Sequence, residues 1–464
     1  MEKRSSFSGK IGFIMAAAGS AVGLGNIWRF PYLAAQYGGG IFLLVYIVLA
    51  VTFGFALMTA EIAIGRKTGL SAVEAYGKLH KKWKFLGYLG AIVPIIILPY
   101  YSVIGGWVAK YMWAFMSGDA ADTAGNIVTS AGAEVSYFES FIAGVGEPIG
   151  WFALFLGFTA VVVLLGVEKG IEKVSKIMMP VLVVLSIIIA GYALCMDGAM
   201  KGLKYYVVPN FSDFSVKTVL AAMGQLFYSM SLAMGIMITY GSYMKKKDSI
   251  ESSVRHIEIF DTGIAFLAGL MIIPAIFAVG DPETQLTKGP GLMFIVLPKV
   301  FEAMPAGEIV GAAFFIMVLF AALTSSISLM ETIVSVFMDK FKMGRKTACV
   351  VVIGICILLG LPSSLGNGPL ASVKIMGLAF LDFFDFISNS VLMPIVALFT
   401  CIFVGYVIKT KTVVDEVESH DCKFKAKGLF TIVIKYFAPI CIVLILATSI
   451  VDIIYTLTTG SSWL

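Results

Sequence analysis

Long apolar stretches alternate with short polar intervals along most of the chain. A bilayer-spanning helix needs about 20 predominantly apolar residues, and eleven stretches reach that length. We refer to them as segments 1 to 11, in chain order. They begin near Ile11, Ile41, Phe85, Ile149, Val174, Thr218, Ile257, Gly307, Thr347, Ile375 and Leu429. The pattern predicts an all-α polytopic membrane protein with eleven transmembrane helices.

Segments 1 and 6 are too broken and too polar for ordinary transmembrane helices. Residues 18–32 of segment 1 read AGSAVGLGNIWRFPY, and residues 225–235 of segment 6 read QLFYSMSLAMG. In hydrocarbon every backbone N–H and C=O needs a partner, so a broken helix is tolerated only where it lines a protected polar site. Two breaks at corresponding positions are typical of a midplane binding site in a secondary transporter.

The spacing of the breaks also predicts the domain organisation. The second break comes five segments after the first, which indicates a five-plus-five inverted repeat with discontinuous helices 1 and 6. We expect one membrane transporter domain over residues 1–464, with a first repeat at 1–195, a second at 217–407 and an additional helix at 428–456. The polar stretches at 117–148 and 409–427 are too short to bury a core of their own.

Composition and charge agree with this interpretation. The chain is 59% hydrophobic and 14% charged, whereas soluble domains are about a quarter charged. With the N-terminus cytoplasmic and the C-terminus outside, about 26 of the 34 Lys and Arg residues fall on cytoplasmic loops, as the positive-inside rule requires. The basic clusters are therefore topology signals in a multi-pass plasma-membrane protein, and nucleic-acid binding is a poor explanation for them.

Enzymatic function finds no support in the sequence. The three histidines, His80, His256 and His420, all lie in predicted cytoplasmic loops, and no H-E-x-x-H or G-x-S-x-G motif stands out. The six cysteines include no C-x-x-C pair. A channel would need a continuous polar pathway, whereas two paired breaks favour a carrier.

Four motifs carry a family resemblance. Residues 23–32 (GLGNIWRFPY) resemble the signature of the neurotransmitter:sodium symporter family, whose discontinuous helices bind substrate and ions at midplane. Residues 225–243, 321–326 (AALTSS) and 382–386 (DFFDF) follow in the expected order and spacing. The chain is most similar to the bacterial amino-acid transporter branch. The resemblance implies a sodium-coupled symporter that works by alternating access in a lipid bilayer.

The same resemblance implies two sodium ions. Unwound backbone carbonyls, hydroxyls and carboxylates would supply the oxygen ligands. Sodium site 1 would use Ala21, Asn26, Ser229 and Asp261. Sodium site 2 would use Gly19, Val22, Ala321, Thr324 and Ser325. The alternative for Thr324 and Ser325 is that their hydroxyls bond to the backbone of their own helix.

Asp261 departs from the family pattern, which has asparagine at this position. Chloride-dependent members balance the sodium charge with an anion, and Tyr46, Gln225 and Ser229 match their chloride ligands, but Ala265 replaces a serine. We expect Asp261 to supply the balancing charge, so that chloride is not needed. Its carboxylate could also take up a proton on the return step. The alternative is a solvated Asp261 near the cytoplasmic end.

Gly23 points to the substrate class. Members that carry biogenic amines place an aspartate there, so a substrate of this chain must bring its own carboxylate, as an amino acid does. The resemblance implies a pocket with apolar walls and no acid or base to pair a charged side chain, which fits a hydrophobic or aromatic L-amino acid. The implied substrate-binding residues are Ser20, Ala21, Gly23, Leu24, Gly25, Ile97, Tyr101, Tyr228, Ser229, Ser231, Met234, Ser325 and Leu329.

Alternating access also needs gates and moving parts. By resemblance, Arg29 and Asp385 would close the outside, directly or through water, and Arg4 and Asp339 would close the cytoplasmic side. Phe7, which replaces the usual tryptophan, and Tyr243 would support the inner pair. Gly170 and Pro180 resemble a motif that lets segment 5 unwind, although an ordinary helix start explains them equally well. Residues 289–294 are expected to fold inward as a lid rather than form a plain loop.

Two alternatives remain open at this point. A proton-coupled amino-acid carrier of the same fold differs in needing no sodium, and a non-transporting amino-acid sensor differs in not accumulating its ligand. A homodimer is compatible with the sequence but not required by it. By comparison with the family, the short termini and a second external loop without cysteine favour a bacterial inner-membrane protein.

Overall fold

The structure is a computed structural model, and it describes residues 6–128, 134–279 and 290–459. Within these residues nine continuous helices are long and apolar enough to cross a membrane. They span Gly40–Thr68, Lys81–Ser117, Gly146–Leu164, Val167–Leu194, Ile250–Val279, Gly307–Phe341, Arg345–Leu365, Phe380–Val407 and Lys427–Ser449. These are segments 2 to 5 and 7 to 11, and they make the chain a multi-pass membrane protein.

Segments 1 and 6 are the two broken helices that the sequence predicts. Segment 1 consists of Lys10–Ala21 and Gly25–Gln36, which are bent by 54° at the break. Segment 6 consists of Val216–Ser229 and Ile236–Tyr243. Together with the nine continuous helices they give the eleven predicted segments, so the predicted fold class is confirmed. The boundaries of the two repeats stay a prediction.

Most segments begin within four residues of the predicted position, but segments 5 and 7 begin seven residues early, at Val167 and Ile250. Segment 10 begins five residues late. It starts at Phe380 rather than near Ile375. The intervening residues form a turn with left-handed backbone at Met376 (φ 54°) and Gly377 (φ 80°), closed by a bridge between Ile375 and Leu378. Left-handed backbone ends a right-handed helix, so the apolar run begins before the helix does.

Short elements connect the segments. The helices outside the spans are Ala72–Leu79, Ala120–Ala124, Tyr137–Ala143, Ala199–Val207, Leu297–Glu302 and Lys409–Val417. A 3-10 turn covers Phe211–Asp213 and a π-helical turn covers Leu292–Val296. Between segments 3 and 4, the strands Asn126–Val128 and Glu134–Ser136 form an antiparallel hairpin, which the all-α prediction did not include.

The packing separates an inner from an outer set of helices. Segment 3 has mostly buried side chains, whereas segments 5, 9 and 11 expose many apolar ones, as expected for helices in contact with lipid. Small residues permit the closest approaches: a Cβ on Gly65 of segment 2 would lie 1.9 Å from the carbonyl oxygen of Ile238 in segment 6. The two broken helices therefore lie inside the bundle.

Several segments contain π-helical turns, which are rare and concentrate at functional positions. One follows the break of segment 1 at Gly25–Arg29, one opens segment 5 at Val167–Glu172, and one lies in segment 10 at Phe386–Leu392. Each of these three contains or adjoins a residue that the sequence assigns to ion binding, gating or unwinding, whereas the π-helical turns at Ala50–Gly54, Phe403–Val407 and Val433–Phe437 do not.

Candidate functional site

The break in segment 1 is stabilised by its own side chains. The first half ends at Ala21, and Val22 is extended with φ −74° and ψ 104°. The freed N–H of Gly23 donates to the Asn26 side-chain oxygen at 3.0 Å. Because the Asn26 side chain accepts a hydrogen bond from a backbone N–H inside the break, it ties the second half of the segment to the break.

The break in segment 6 needs left-handed backbone. Ser231, Ala233 and Gly235 have φ values of 52°, 61° and 74°, and the two non-glycine residues are strained in that region. The N–H of Ala233 donates to the carboxylate of Glu61 in segment 2 at 2.8 Å. A buried acid of segment 2 therefore supports the unwound stretch.

The two breaks touch each other and enclose a small cavity. The Ser231 hydroxyl donates to the backbone carbonyl of Ser20 at 2.8 Å. The space is about 30 Å³, which is room for about two water molecules, so an amino acid enters only if the walls separate. All thirteen implied substrate-binding residues line this cavity, together with Asn26 and Ile236.

Gly23 faces the most polar part of the cavity. A Cβ at this position would lie 2.6 Å from the Ser325 hydroxyl oxygen and 3.1 Å from that of Tyr101. The Leu24 N–H points to the Tyr101 hydroxyl at 3.4 Å. Any side chain at position 23 would fill the space beside these groups, so glycine keeps hydroxyls and backbone N–H groups together at a helix N-terminus, where anions bind.

The four residues of the implied sodium site 1 lie together. Asp261 is fully buried. Its Oδ1 accepts hydrogen bonds from the Asn26 amide at 2.7 Å and from the Ser229 hydroxyl at 2.6 Å. Ala21 lines the adjoining cavity. The alternative of a solvated Asp261 is wrong, because none of its surface is exposed.

The residues that match a chloride site surround the same carboxylate. The Tyr46 hydroxyl lies 3.1 Å from Oδ2 of Asp261. Gln225 instead donates to the Gly25 carbonyl at 2.8 Å. Ala265 is buried one helical turn beyond Asp261. The Asp261 carboxylate of segment 7 thus contacts Tyr46 and Ser229, two of the residues that match the chloride ligands of chloride-dependent members.

The implied sodium site 2 lies where segments 1 and 8 meet. The Ser325 hydroxyl is 3.1 Å from the carbonyl of Ser20 and 3.3 Å from that of Val22. Thr324 lies against Gly19, whose Cβ would be 3.1 Å from that of Thr324. The Thr324 hydroxyl bonds to its own helix, 3.1 Å from the Ala321 carbonyl. Carbonyl and hydroxyl oxygens of segments 1 and 8 therefore lie close together. The Thr324 hydroxyl makes the hydrogen bond to its own helix that was the alternative to sodium binding.

Arg29 and Asp385 do not form a direct ion pair, although the structure describes both residues. The Arg29 guanidinium lies over the Tyr228 ring, 5.3 Å from its centre. Asp385 accepts hydrogen bonds from Asn389 at 2.6 Å and from the Tyr100 hydroxyl at 3.1 Å. The predicted direct contact between Arg29 and Asp385 is therefore not found, and Tyr100 and Asn389 hold the Asp385 carboxylate instead.

The inner gate is only partly within the described residues, since Arg4 lies outside them. Asp339 accepts a hydrogen bond from the Ser71 N–H at 2.7 Å. Phe7 is buried, and its N–H donates to the Tyr243 carbonyl at 3.2 Å. The supporting residues Phe7 and Tyr243 are therefore in contact.

The lid prediction falls on residues 289–294, of which the structure describes 290–294. The Phe294 ring is fully buried. It stacks on Phe138 with ring centres 4.8 Å apart, and its carbonyl accepts a 2.8 Å hydrogen bond from Tyr111. The described part of this loop packs inward instead of extending into solvent.

Sequence reasoning missed several buried acids, among them Glu61 and Glu331. Glu61 supports the break in segment 6, and Glu331 of segment 8 pairs with Arg345 at the start of segment 9 and accepts a 2.7 Å hydrogen bond from Tyr243. Each is an acid inside an apolar segment, and such residues are functional candidates by default. That signal, applied to every segment, would have found both.

The profile of the sodium:neurotransmitter symporter family matches residues 4–130 and 132–460. An uncharacterized sodium-dependent transporter of Bacillus subtilis, YhdH, is 35% identical over 451 residues, covering 96% of this chain and 97% of that protein. The human sodium- and chloride-dependent GABA transporter 2 is 24% identical over 90% of this chain and 75% of its own length.

A solved structure agrees with the sequence comparisons. The crystal structure of MhsT in complex with L-phenylalanine has a TM-score of 0.85 and 39% sequence identity, and it covers 96% of this chain and 100% of MhsT. The two matched sequences, YhdH and GABA transporter 2, are sodium-dependent transporters by name. This chain belongs to the sodium:neurotransmitter symporter family.

Proposed function

We propose that this protein imports a hydrophobic or aromatic L-amino acid together with two sodium ions, by alternating access and without chloride. The carrying observation is the closed cavity between the two broken helices, with the Asp261 carboxylate fixed beside it. Family membership supports sodium dependence, and the residues of the cavity support the choice of substrate.

The substrate carboxylate binds beside Gly23. Neutral donors gather there: the Tyr101 hydroxyl, the Ser325 hydroxyl and the N–H groups that follow the break. A helix N-terminus adds a partial positive charge that favours an anion. An aspartate at position 23, which would pair an amine, has no room in this arrangement.

The substrate side chain lies against apolar walls. Ile97, Met234 and Leu329 line the cavity, and no lining residue is acidic or basic. A charged side chain would lose its hydration without gaining a partner, whereas an apolar one gains by burial. The phenylalanine in the MhsT crystal structure supports the same class.

The walls must move for such a substrate to enter. The present space of about 30 Å³, room for about two water molecules, does not hold a leucine or phenylalanine, so binding opens the cavity by side-chain and helix shifts. Met234 is suited to this because methionine is unbranched and fills spaces of different shapes. A range of apolar substrates is therefore expected.

Asp261 supplies the negative charge for the ion at sodium site 1. Its carboxylate is buried and accepts hydrogen bonds from Asn26 and Ser229. Asn26, Ser229 and Ala21 complete the proposed ligand set. A buried carboxylate is costly unless a cation balances it. Sodium at this position lowers that cost, so a chloride ion is not required.

Sodium site 2 uses neutral oxygens. The carbonyls of Gly19, Val22 and Ala321 and the hydroxyls of Thr324 and Ser325 form the proposed set. When the ion binds, the Thr324 hydroxyl still donates its hydrogen bond to the backbone of its own helix, and a lone pair of the hydroxyl oxygen coordinates sodium. Because this site joins segments 1 and 8, occupying it holds the two helices together.

We place the N-terminus in the cytoplasm and the C-terminus outside, in the inner membrane of a bacterium. The excess of Lys and Arg on alternate loops supports this orientation. The pairs Arg29 and Asp385 outside, and Arg4 and Asp339 inside, then close the two ends in turn. The outer pair acts through intervening groups such as Tyr228 and Asn389.

The test is uptake of labelled L-phenylalanine into proteoliposomes under an imposed inward sodium gradient. Unlabelled leucine, tyrosine and tryptophan should compete strongly, and lysine, glutamate and a decarboxylated amine should not. Uptake driven by a proton gradient without sodium would replace this proposal by a proton-coupled carrier. Binding without accumulation would replace it by a sensor.

A further inference from the structure

Residues 6–9, here called the N-terminal strap, lie against the start of segment 5. The carboxylate of Glu172 accepts a hydrogen bond from the Ser8 N–H at 2.8 Å and a second one from the Ser8 hydroxyl. Lys176, one turn further along segment 5, pairs with the same carboxylate at 2.5 Å. The Glu172 side chain is only 2% exposed.

The strap is attached on its other side to the end of segment 6 and to the loop that follows it. The Phe7 N–H donates to the Tyr243 carbonyl at 3.2 Å, and the Lys245 ammonium donates to the Ser8 carbonyl. Lys10, at the start of segment 1, donates to the Ser252 hydroxyl at 2.7 Å. The strap therefore bridges the start of segment 5 and the end of segment 6, and Glu172 is its anchor on segment 5.

Glu172 occupies a mechanically weak part of segment 5. It ends the π-helical turn Val167–Glu172, which starts the segment. Gly170 lies in that turn, and a Cβ there would be 2.1 Å from the Val162 carbonyl oxygen. A π-helical turn is rare and is found mostly as a single turn at functional positions, and contacts outside this turn hold it in place.

The same face of segment 5 reaches sodium site 2. Met179 is seven residues after Glu172, which is two helical turns and therefore the same side of the helix. Its sulfur lies 3.4 Å from the position of a Cβ on Gly19, one of the proposed site 2 ligands. The contact of segment 5 with segment 1 thus runs from the strap to the ion site.

We propose that Glu172 is a positioning residue for the inner opening of the transporter. Its bond to the strap keeps the first turn of segment 5 against segment 1. When that bond breaks, the turn separates and water reaches sodium site 2 from the predicted cytoplasmic side. This inference rests on the proposed function for its role in transport, but the contact itself can be tested without transport.

Two substitutions break the contact from opposite sides. Glu172→Gln removes the charge that Ser8 and Lys176 share. Gly12→Ala places a methyl group 2.2 Å from the present position of the Glu172 Oε1 and so displaces the carboxylate. Alanine is also a better helix former than glycine, so helix propensity alone predicts a stabilising effect for Gly12→Ala.

Matched controls exist on the same helix. Glu168→Gln changes an exposed acid in the same π-helical turn. Gly191→Ala adds a methyl group later in segment 5, where nothing lies within 4 Å. Neither control touches the strap, so each should behave like the wild type.

The readout is amide hydrogen exchange of residues 167–176 in nanodiscs with saturating sodium. A hydrogen bond to a charged group contributes about 1.5–3 kcal/mol, so both test variants should exchange at least about tenfold faster there. Exchange in segment 3 should not change, which excludes general unfolding. If residues 167–176 exchange no faster in the two test variants than in the two controls, the proposal is overturned.

Sodium-driven uptake then separates this inference from the proposed function. If wild-type proteoliposomes accumulate substrate, both test variants should need at least about threefold more sodium for half-maximal uptake, and the controls should not. An unchanged sodium requirement in the test variants would contradict the transport role of Glu172. A wild type without sodium-driven uptake would instead refute the proposed function, while hydrogen exchange would still decide the contact.

Discussion

The side-chain amide of Asn26 donates a hydrogen bond of 2.7 Å to the carboxylate of Asp261. Asn26 lies just after the break in segment 1, and Asp261 lies in the middle of segment 7. Asn26 also accepts the N–H of Gly23 through its side-chain oxygen. The side chain of Asn26 thus joins Gly23, which lines the cavity, to the buried carboxylate of Asp261.

Replacing Asp261 by asparagine should make transport dependent on chloride. The variant lacks the charge that balances sodium, and a buried charge without a partner costs several kcal/mol. Sodium-driven uptake in chloride-free medium should fall at least about tenfold. Adding Ala265→Ser, one turn away, should restore part of the activity when chloride is present.

The control for this variant is Glu258→Gln, which removes another buried acid one turn before Asp261. Uptake by this variant should not respond to chloride. An Asp261→Asn protein that transports normally without chloride would show that the carboxylate does not balance the sodium charge.

A methyl group at position 23 should weaken substrate binding. The Cβ of Gly23→Ala would lie 2.6 Å from the Ser325 hydroxyl oxygen, and overpacking of this kind costs about 1–3 kcal/mol. The KM for the amino acid should rise about 5- to 150-fold. Gly224→Ala is the control, because nothing lies within 4 Å of a Cβ there, and its KM should match that of the wild type.

The Tyr101 hydroxyl should contribute directly to substrate affinity. It lies 3.4 Å from the Leu24 N–H and lines the cavity. A hydrogen bond to a charged carboxylate contributes about 1.5–3 kcal/mol, so Tyr101→Phe should weaken equilibrium amino-acid binding by at least about tenfold. Tyr436→Phe, at a tyrosine that is 59% exposed, serves as the control. Equal affinities in the two variants would place the carboxylate elsewhere.

Met234 should set the size limit of the substrate. It lines the cavity and is 4% exposed, and its flexible side chain can move aside for a large ligand. A rigid ring at this position cannot adapt in the same way. In competition assays, Met234→Phe should reduce inhibition by tryptophan at least about fivefold more than inhibition by leucine. An equal change for both would contradict this role.

Hydropathy predicted the fold well because length and apolar composition alone define a membrane span. Glycine and polar residues at membrane depth likewise revealed both breaks. The start of segment 10 was missed because Ile375 and Met376 continue an apolar run, while the left-handed backbone at Met376 and Gly377 ends it. Hydropathy carries no information on backbone handedness at a non-glycine residue.

The site was partly predictable for a related reason. Family motifs gave the thirteen residues that line the cavity, because those residues lie in or near the marked breaks. They did not give the way in which Asp385 is held, since Tyr100 approaches it from segment 3, whereas Asn389 lies one turn further along its own helix. Nor did they identify Glu61 and Glu331, whose partners depend on tertiary packing across the bundle.

Ion replacement in proteoliposomes tests the central claim most directly. Uptake of labelled L-phenylalanine is measured under the same imposed gradient with sodium chloride, sodium gluconate or potassium chloride outside. With Asp261 as the balancing charge, uptake in sodium gluconate should equal that in sodium chloride, and uptake in potassium chloride should be absent. Uptake that disappears in gluconate, or persists without sodium, would contradict the claim.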